Sequence, residues 1–292
     1  MAAFYAILMG IIQGVIEFLP VSSLGHLILL EKLFGFPASS GLLFEALLHT
    51  GTLFVIISVF QKDIRKVILE FLSICVDVWW NFRRYLHNRH RNEPLPYRKI
   101  VTSTSRKLTV MLLCSTIPTF LIGYAAKNLA ALSKTSDIVP PIGILMTGIV
   151  LFVVDLGSSN AGRKGIASAT YDQSMWLGIC QGISVFPGIS RLGLTLSLSQ
   201  IYGYKSGFAI RYSFLMSVPA VLGAIVAELG QFRSEEMTAS LAGIYFLGMA
   251  AAGITAYFTI RLLLRLLQGI RLRYFAFYCF LIGAVSLLHE YM

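Results

Sequence analysis

Two long apolar stretches of this chain, 3–34 and 175–203, are each cut near the middle by residues that end a helix. The first break holds Pro20, Ser22, Ser23 and Gly25, and the second holds Pro187, Gly188, Ser190 and Gly193. Crossing a bilayer as helix takes about 20 apolar residues, and each half falls short of that. A short helix, a polar turn and a second short helix read as a re-entrant hairpin. Non-helical backbone at membrane depth is tolerated only when buried in protein or lining a wet cavity. The rest of the fold must therefore be built around two such hairpins.

Six further stretches are long enough to span: 41–60, 108–126, 139–156, 208–229, 239–260 and 274–289. The chain of 292 residues is 56% hydrophobic and 13% charged, against roughly 25% charged in a soluble domain. That balance excludes a water-soluble globule, and it is the opposite of a disordered composition. The expected fold is an all-α polytopic membrane protein with about six transmembrane helices and two re-entrant hairpins.

The net charge of +10 is concentrated. Residues 62–107 carry +7 of it, and Arg261, Arg265, Arg271 and Arg273 form a second cluster. Excess lysine and arginine between apolar segments marks the cytoplasmic face, so this charge orients a bundle and does not form a nucleic-acid groove. Placing 62–107 and 261–273 inside puts the 157–174 loop inside and the 230–238 loop outside. The hairpins then enter from opposite faces. Segment 64–80 mixes Arg65, Lys66, Glu70 and Asp77 with apolar residues and ends in Trp79-Trp80, which predicts a helix lying in the interface. Cys75, Cys114, Cys180 and Cys279 have no CxxC spacing and read as free thiols. The N-terminal run has no basic flank or cleavage pattern, so no cleaved signal peptide is expected.

Laying 13–25 over 181–193 (offset 168) gives identities at Gln13/Gln181, Gly14/Gly182, Phe18/Phe186, Ser22/Ser190, Leu24/Leu192 and Gly25/Gly193. These are the two broken segments that the charge pattern places in opposite orientation. Inverted repeats with paired broken helices put a binding site at the repeat interface. We expect one membrane domain over 1–292. Repeat one covers about 1–126, with hairpin 3–34 and the basic loop 62–107. Repeat two covers about 139–292, with hairpin 175–203.

The breaks carry the chemistry. Gln13 and Glu17 are four apart and share a helix face, and an ionisable group at membrane depth is by default a functional candidate. His26 follows the first turn as a nucleophile, a general acid/base, a ligand or a structural residue. In the second hairpin, Pro187-Gly188 frees backbone N–H groups, Ser190 sits at an N-cap position, and Thr195 lies about a turn beyond. Amides at a helix N-terminus favour an anion, and Arg191 adds a planar donor fork suited to phosphate. Arg191 beside Glu17 and His26 suits phosphoryl chemistry, where positioning and charge stabilisation do most of the work. His49 is a second intramembrane histidine, with Glu45 a turn earlier. Asp155 and Glu228 fall at span ends, where interfacial solvation is expected. No Walker A, GxGxxG, HExxH or zinc spacing is present.

At these residues the sequence resembles the bacterial undecaprenyl-diphosphate phosphatase family of the bacitracin-resistance type. Gln13 to His26 (QGVIEFLPVSSLGH) is similar to a first motif of roughly EGxTEFLPVSSTGH, and Pro187 to Thr195 (PGISRLGLT) to a second of roughly PGxSRSxxT. The Phe44-Glu45 and His49-x-Gly51-Thr52 run is also family-like. Three positions depart from the motifs: Gln13 for the first glutamate, Leu24 for a threonine and Leu192 for a serine.

The resemblance implies hydrolysis of undecaprenyl diphosphate in the bacterial plasma membrane, with Glu17, Ser23, His26 and Arg191 as catalytic residues. Ser22, Gly188, Ser190, Thr195 and His49 are the expected substrate ligands. A divalent cation, Mg²⁺ or Ca²⁺, would sit on Glu17 and Gln13. His26 and a serine, Ser22 or Ser23, remain alternative nucleophiles. Expected partners are the polyprenyl diphosphate lipid, the bilayer and a second copy of the chain in a homodimer. The rival readings are a transporter or flippase for a phosphorylated polyprenyl lipid and a binding-only paralogue.

Overall fold

The computed structural model describes residues 2–34, 41–89, 94–157, 162–230, 238–266 and 271–291. Parts of the loops 157–174 and 230–238 lie outside them. Among the described residues the chain is helical throughout: α1 (Ala2–Ile16), α2 (Ser23–Leu33), α3 (Gly41–Val59), α4 (Gln61–Asn88), α5 (Thr104–Lys134), α6 (Val139–Gly157), α7 (Tyr171–Ile183), α8 (Arg191–Ile201), α9 (Ser206–Leu229), α10 (Ala239–Leu266) and α11 (Arg273–Tyr291). Both apolar stretches with central breaks form the expected pairs of short helices. The α1–α2 pair breaks at 17–22 and the α7–α8 pair at 184–190. The second helix of each pair starts the same way. Ser22 Oγ accepts from Gly25 N–H at 3.3 Å, and Ser190 Oγ accepts from Gly193 N–H at 3.0 Å. Each serine so satisfies one of the donors that a helix start leaves open.

The packing exchanges partners between the two halves. Helix α1 lies along α10, α7 along α5, and α3 on α10 and α9, while α6 packs on α11 within the second half. The closeness rests on two more residues related by the offset of 168, Gly10 and Gly178, as well as on Gly14 and Gly182. A Cβ at Gly14 would stand 2.5 Å from the Ala252 carbonyl of α10, and one at Gly178 would stand 2.1 Å from the Ser115 carbonyl of α5. Phe18 from the first break stacks edge-on against Phe214 of α9, which also stacks on Phe60 at the α3–α4 junction.

Helices α5, α6, α9 and α10 are long and apolar enough to cross a bilayer, and α3 with α4 makes a fifth candidate bent by 84°. The expectation of six unbroken spans thus narrows. Helix α3 turns sharply at Phe60, and α11, with 19 residues, has Arg273 and Glu290 within its ends. Large apolar side chains such as Ile117, Leu121, Phe246, Ile254 and Phe258 stand exposed along α5 and α10. A soluble monomer rarely leaves so much apolar surface bare, whereas lipid covers it without cost. The chain is an all-α, multi-pass membrane protein.

Helix α4 has one buried residue, Ile74, and exposes Leu69, Phe71, Leu72, Trp79 and Trp80. It is tied to α5 through Arg106, which donates to Glu70 at 3.1 Å, to Asp77 at 2.7 Å and to the Ile100 carbonyl at 2.8 Å. Arg98 reaches the other Asp77 oxygen at 3.1 Å. The Arg106 and Arg98 guanidiniums hold the Asp77 carboxyl below the ordinary aspartate value of 3.8. A depressed carboxyl stabilises docking fully above that ordinary value and loses its contribution as pH falls through the folded-state value. Arg106→Ala should therefore raise amide exchange in 70–77 at neutral pH, and in the parent chain the same segment should loosen only in acid.

Asp155 corrects an expectation. It is buried and ion-paired with Arg273 of α11, and so is not solvated at an interface. A buried carboxylate needs such a partner. One arginine of the 261–273 cluster is thereby spent inside the protein. All four cysteines are free thiols.

Candidate functional site

The two breaks meet at a junction of backbones. A Cβ on Gly25 would lie 2.8 Å from the Gly188 Cα, and one on Gly193 would lie 3.2 Å from the Pro20 carbonyl. Gly188 itself has φ +88, a conformation open to glycine at little cost. Thr147 of α6 locks the second break. Its Oγ1 donates to the Gly188 carbonyl at 2.8 Å and accepts from the Ser190 N–H at 3.0 Å. Ser22 is the one non-glycine with positive φ among the described residues, at 72°. Strain of this kind persists where the surroundings over-determine it, often at functional sites.

Beside this junction lies a cavity of about 1220 Å³, bounded by both breaks and by α3, α5 and α9. Glu17 is its centre. Glu17 Oε2 accepts from Ser23 Oγ at 2.6 Å and from Gln13 Nε2 at 2.9 Å, while Arg191 Nη1 stands 3.8 Å from Oε1. A carboxylate only accepts, so the Gln13 amide must present its NH₂ to Glu17. That NH₂ also lies 3.1 Å from His49 Nδ1. His49 Nδ1 therefore accepts and its proton sits on Nε2. Gln13 is fully buried, and its Oε1 has no partner among the described residues.

At the start of α8, Ser190 N–H and Gly193 N–H are already bonded. The amides of Arg191 and Leu192, both cavity-lining residues, are the remaining first-turn donors. Helix-start amides and a guanidinium are the donor types that receive oxyanions. Ser22, Ser190 and Thr195 also line the cavity. Their hydroxyls are engaged locally, Thr195 Oγ1 with the Arg191 carbonyl at 3.1 Å.

Three expected site residues are absent from the cavity lining, Gln13 among them, which sits behind Glu17 and His49. Gly188 packs against Pro140 and Gly143 of α6 and is not among the lining residues. His26 is buried and also absent from the lining. Its Nδ1 lies 2.7 Å from the Ser22 carbonyl, so Nδ1 carries the proton and donates. Its Nε2 accepts from Tyr278 Oη at 3.0 Å, and the two rings stack at 5.6 Å. The histidine thus fastens the strained Ser22 turn to α11. Nothing in the apolar run 274–289 singles out Tyr278.

The opposite wall was not foreseen. Gln181, the repeat partner of Gln13, donates to Met216 O at 3.1 Å and Thr119 Oγ1 at 3.3 Å, so it fastens α7 to α9 and α5. The residue at Glu17 plus 168 is Val185, so the second break lacks the acid. Glu228, expected to be solvated, lines the cavity with Oε2 buried and unpartnered among the described residues. At the other end of the cavity, Lys127 and Lys134 of α5 and Glu45 of α3 complete the lining.

Paired broken helices around a cavity lined by Arg191, Glu17 and further carboxylates define a polytopic membrane protein with a polar site at its helix breaks. The sequence pattern described as Bacitracin resistance protein BacA matches residues 6–285, and the chain belongs to that family. It is 33% identical over 288 residues to an undecaprenyl-diphosphatase of Alkaliphilus metalliredigens, covering 99% of this chain and 98% of that one. It is also 33% identical to the undecaprenyl-diphosphatases of Methanosphaera stadtmanae (97% and 96% covered) and Korarchaeum cryptofilum (97% and 97%).

Proposed function

We propose that this chain hydrolyses undecaprenyl diphosphate to undecaprenyl phosphate and inorganic phosphate in the plasma membrane. One observation carries the reading: Ser23 Oγ donates to Glu17 Oε2 at 2.6 Å inside the cavity that Arg191 lines. A hydroxyl on a carboxylate beside an oxyanion site is the arrangement of an activated nucleophile. A transporter or a binding-only protein has no need of it.

In this reading Arg191 and the first amides of α8 hold the terminal phosphate. Apolar residues Phe18, Leu19, Ile28 and Phe214 receive the start of the prenyl chain. Ser23 Oγ attacks the terminal phosphorus and its proton passes to Glu17. The bond from that phosphorus to the bridging oxygen breaks, releasing the lipid monophosphate. Water then attacks the phosphoserine, the Oγ–P bond breaks, Glu17 returns its proton to Oγ, and both water protons leave on phosphate. His26 supports the turn that carries Ser23.

A divalent cation fits only as a substrate-bridged ion. No cluster of three metal-ligating His, Cys, Asp or Glu side chains exists among the described residues. Of the two expected ligands only Glu17 lines the cavity, and the unpartnered Gln13 Oε1 would join it only with the amide turned over, because its NH₂ faces Glu17. Mg²⁺ is commonly held by one or two carboxylates plus substrate phosphates. When bound it would neutralise phosphate charge.

The basic regions 62–107 and 261–273 face the cytoplasm in this reading. In support, Lys107 reaches the Ala167 carbonyl at 2.7 Å and Asp63 pairs with Arg211, bringing the basic ends of α4, α5 and α9 to one side.

The test is phosphate release from undecaprenyl diphosphate by the purified chain, with Mg²⁺ or Ca²⁺ titrated. Ser23→Ala and Arg191→Ala should each lower the rate at least about a hundredfold, and rapid acid quench should trap phosphate on serine. His26→Gln, which keeps a hydrogen-bonding side chain at that position, should retain most of the rate. If Ser23→Ala stays active while His26→Gln is inert, this mechanism is wrong. If the parent chain binds the lipid but releases no phosphate, transport becomes the better reading.

A further inference from the structure

We propose that Lys134 is a second cationic ligand for the diphosphate, carried on α5 and parked on Glu45 until substrate arrives. The inference rests on the hydrolase reading above and adds a substrate residue to it. It begins with charge. A diphosphate spreads several negative charges over two phosphates, yet Glu17 stands beside the one arginine at the breaks and offsets much of it. Oxyanions of this kind are usually held by more than one cationic group.

The same cavity supplies one. Lys134 Nζ lies 2.5 Å from Glu45 Oε2, and both residues line the cavity. Glu45 precedes His49 by one turn of α3, about 6 Å along the axis. His49 Nδ1 is 3.7 Å from Glu17 Oε2, and Glu17 Oε1 is 3.8 Å from Arg191. Lys134 and Arg191 therefore stand on walls of one cavity, with Glu45, His49 and Glu17 also among its lining residues, and the lysine carries its charge on a flexible four-carbon stem. The Lys134 side chain is 25% exposed, against 11% for Glu45, so the ammonium is the more accessible member of the pair. Lys127, seven residues earlier and so on the same face of α5, also lines the cavity, with its ammonium 4.3 Å over the Tyr124 ring.

The acids explain why the lysine needs parking. Glu31, Glu45 and Glu228 line the cavity alongside Lys32, Lys127, Lys134 and Arg191, so an entering anion meets carboxylates as well as cations. In this proposal a single phosphate is held by Arg191 alone, while the second phosphate of a diphosphate draws Lys134 from Glu45. The site then discriminates two phosphates from one.

The experiment compares the parent chain with Lys134→Ala and Lys134→Arg, using undecaprenyl diphosphate as substrate and inorganic diphosphate or phosphate as competing ligands. Lys134→Ala should raise KM about tenfold, the scale of one charge-assisted hydrogen bond. It should leave kcat within about threefold and weaken inorganic diphosphate by a similar factor to KM. Inhibition by inorganic phosphate should change less than about twofold, because Arg191 holds that ion alone. Lys134→Arg should recover most of the affinity. Unchanged KM and diphosphate inhibition would overturn the proposal. So would equal weakening of both anions, or a fall in kcat alone that Lys134→Arg does not rescue, which would make the Glu45 pair merely structural. If the parent chain releases no phosphate, the hydrolase reading fails. Calorimetric binding of inorganic diphosphate to parent and Lys134→Ala chains then still decides the role of Lys134.

Discussion

Glu17→Gln should leave the protein folded and able to bind diphosphate but lower phosphate release by about a thousandfold, within the range expected for losing a general base. The substitution keeps the side chain's shape. Its amide can still meet Ser23 Oγ and Gln13, so the 2.6 Å contact becomes an ordinary neutral hydrogen bond with no proton acceptor behind it. Binding should move the other way. Glu17 Oε1 stands 3.8 Å from Arg191 and competes with any phosphate for that guanidinium. Removing the negative charge frees the arginine, so inorganic diphosphate should bind as tightly as in the parent chain or more tightly. Stability should rise or hold, because a buried charge is replaced by a neutral group, the trade common at sites kept for activity. Calorimetry, thermal unfolding and a phosphate-release assay separate the three effects. A Glu17→Gln chain that turns over within tenfold of the parent would remove Glu17 as base. One that loses diphosphate binding would make the residue a ligand instead.

Most of the architecture was legible in the sequence because membrane folding obeys few rules. Every backbone group in lipid must be satisfied within the protein. Pro20 and Pro187, each followed within six residues by serine and glycine, therefore mark buried turns, whereas Pro118 and Pro219, which lack the serine, stay inside α5 and α9. The helix starts at Ser22 and Ser190 are where the polar residues put them. Glu17, Ser23 and Arg191 were legible because charge and hydroxyls at that depth are costly, and the structure gathers all three at one cavity. Arrangements between distant side chains were not legible. His26 looks like chemistry beside Ser22 and Ser23 in one dimension, but on α2 its ring faces Tyr278, 252 positions away in sequence. Asp155 looks interfacial at the end of an apolar run, until α11 brings Arg273 to it. Lys134 lay beyond the end of the predicted span because α5 continues to Lys134, two turns past residue 126. A helix leaving the hydrocarbon gives no sequence signal of where it stops, so the far wall of the cavity had no advance marker.

The largest stability effect should come from Gly188→Ala. Two costs add there. The φ of +88 is one that residues with a Cβ rarely adopt, worth about 1–3 kcal/mol. The new methyl would also stand 2.2 Å from the Pro140 carbonyl and 2.7 Å from the Gly143 Cα. Those neighbours are helix backbone, so relief requires moving α6 away from the break. Together the two should exceed about 3 kcal/mol, among the larger single-residue effects. Gly203→Ala separates them. Gly203 has φ +73 but nothing within 4 Å of its Cβ position, so it carries the conformational cost alone. Its loss should be no more than about half that of Gly188→Ala by thermal unfolding in detergent. The functional consequence follows from Thr147, which bonds both the Gly188 carbonyl and the Ser190 N–H from α6. Displacing α6 releases the start of α8 and with it Arg191, so any folded Gly188→Ala protein should bind inorganic diphosphate more weakly. Thr147→Val keeps the glycine and removes those two bonds, together with the local one from Oγ1 to the Gly143 carbonyl within α6. It should cost about 1–3 kcal/mol yet weaken diphosphate binding in the same way. If Thr147→Val binds as the parent does, the anion site does not depend on this lock, and the cost of Gly188→Ala is purely one of packing.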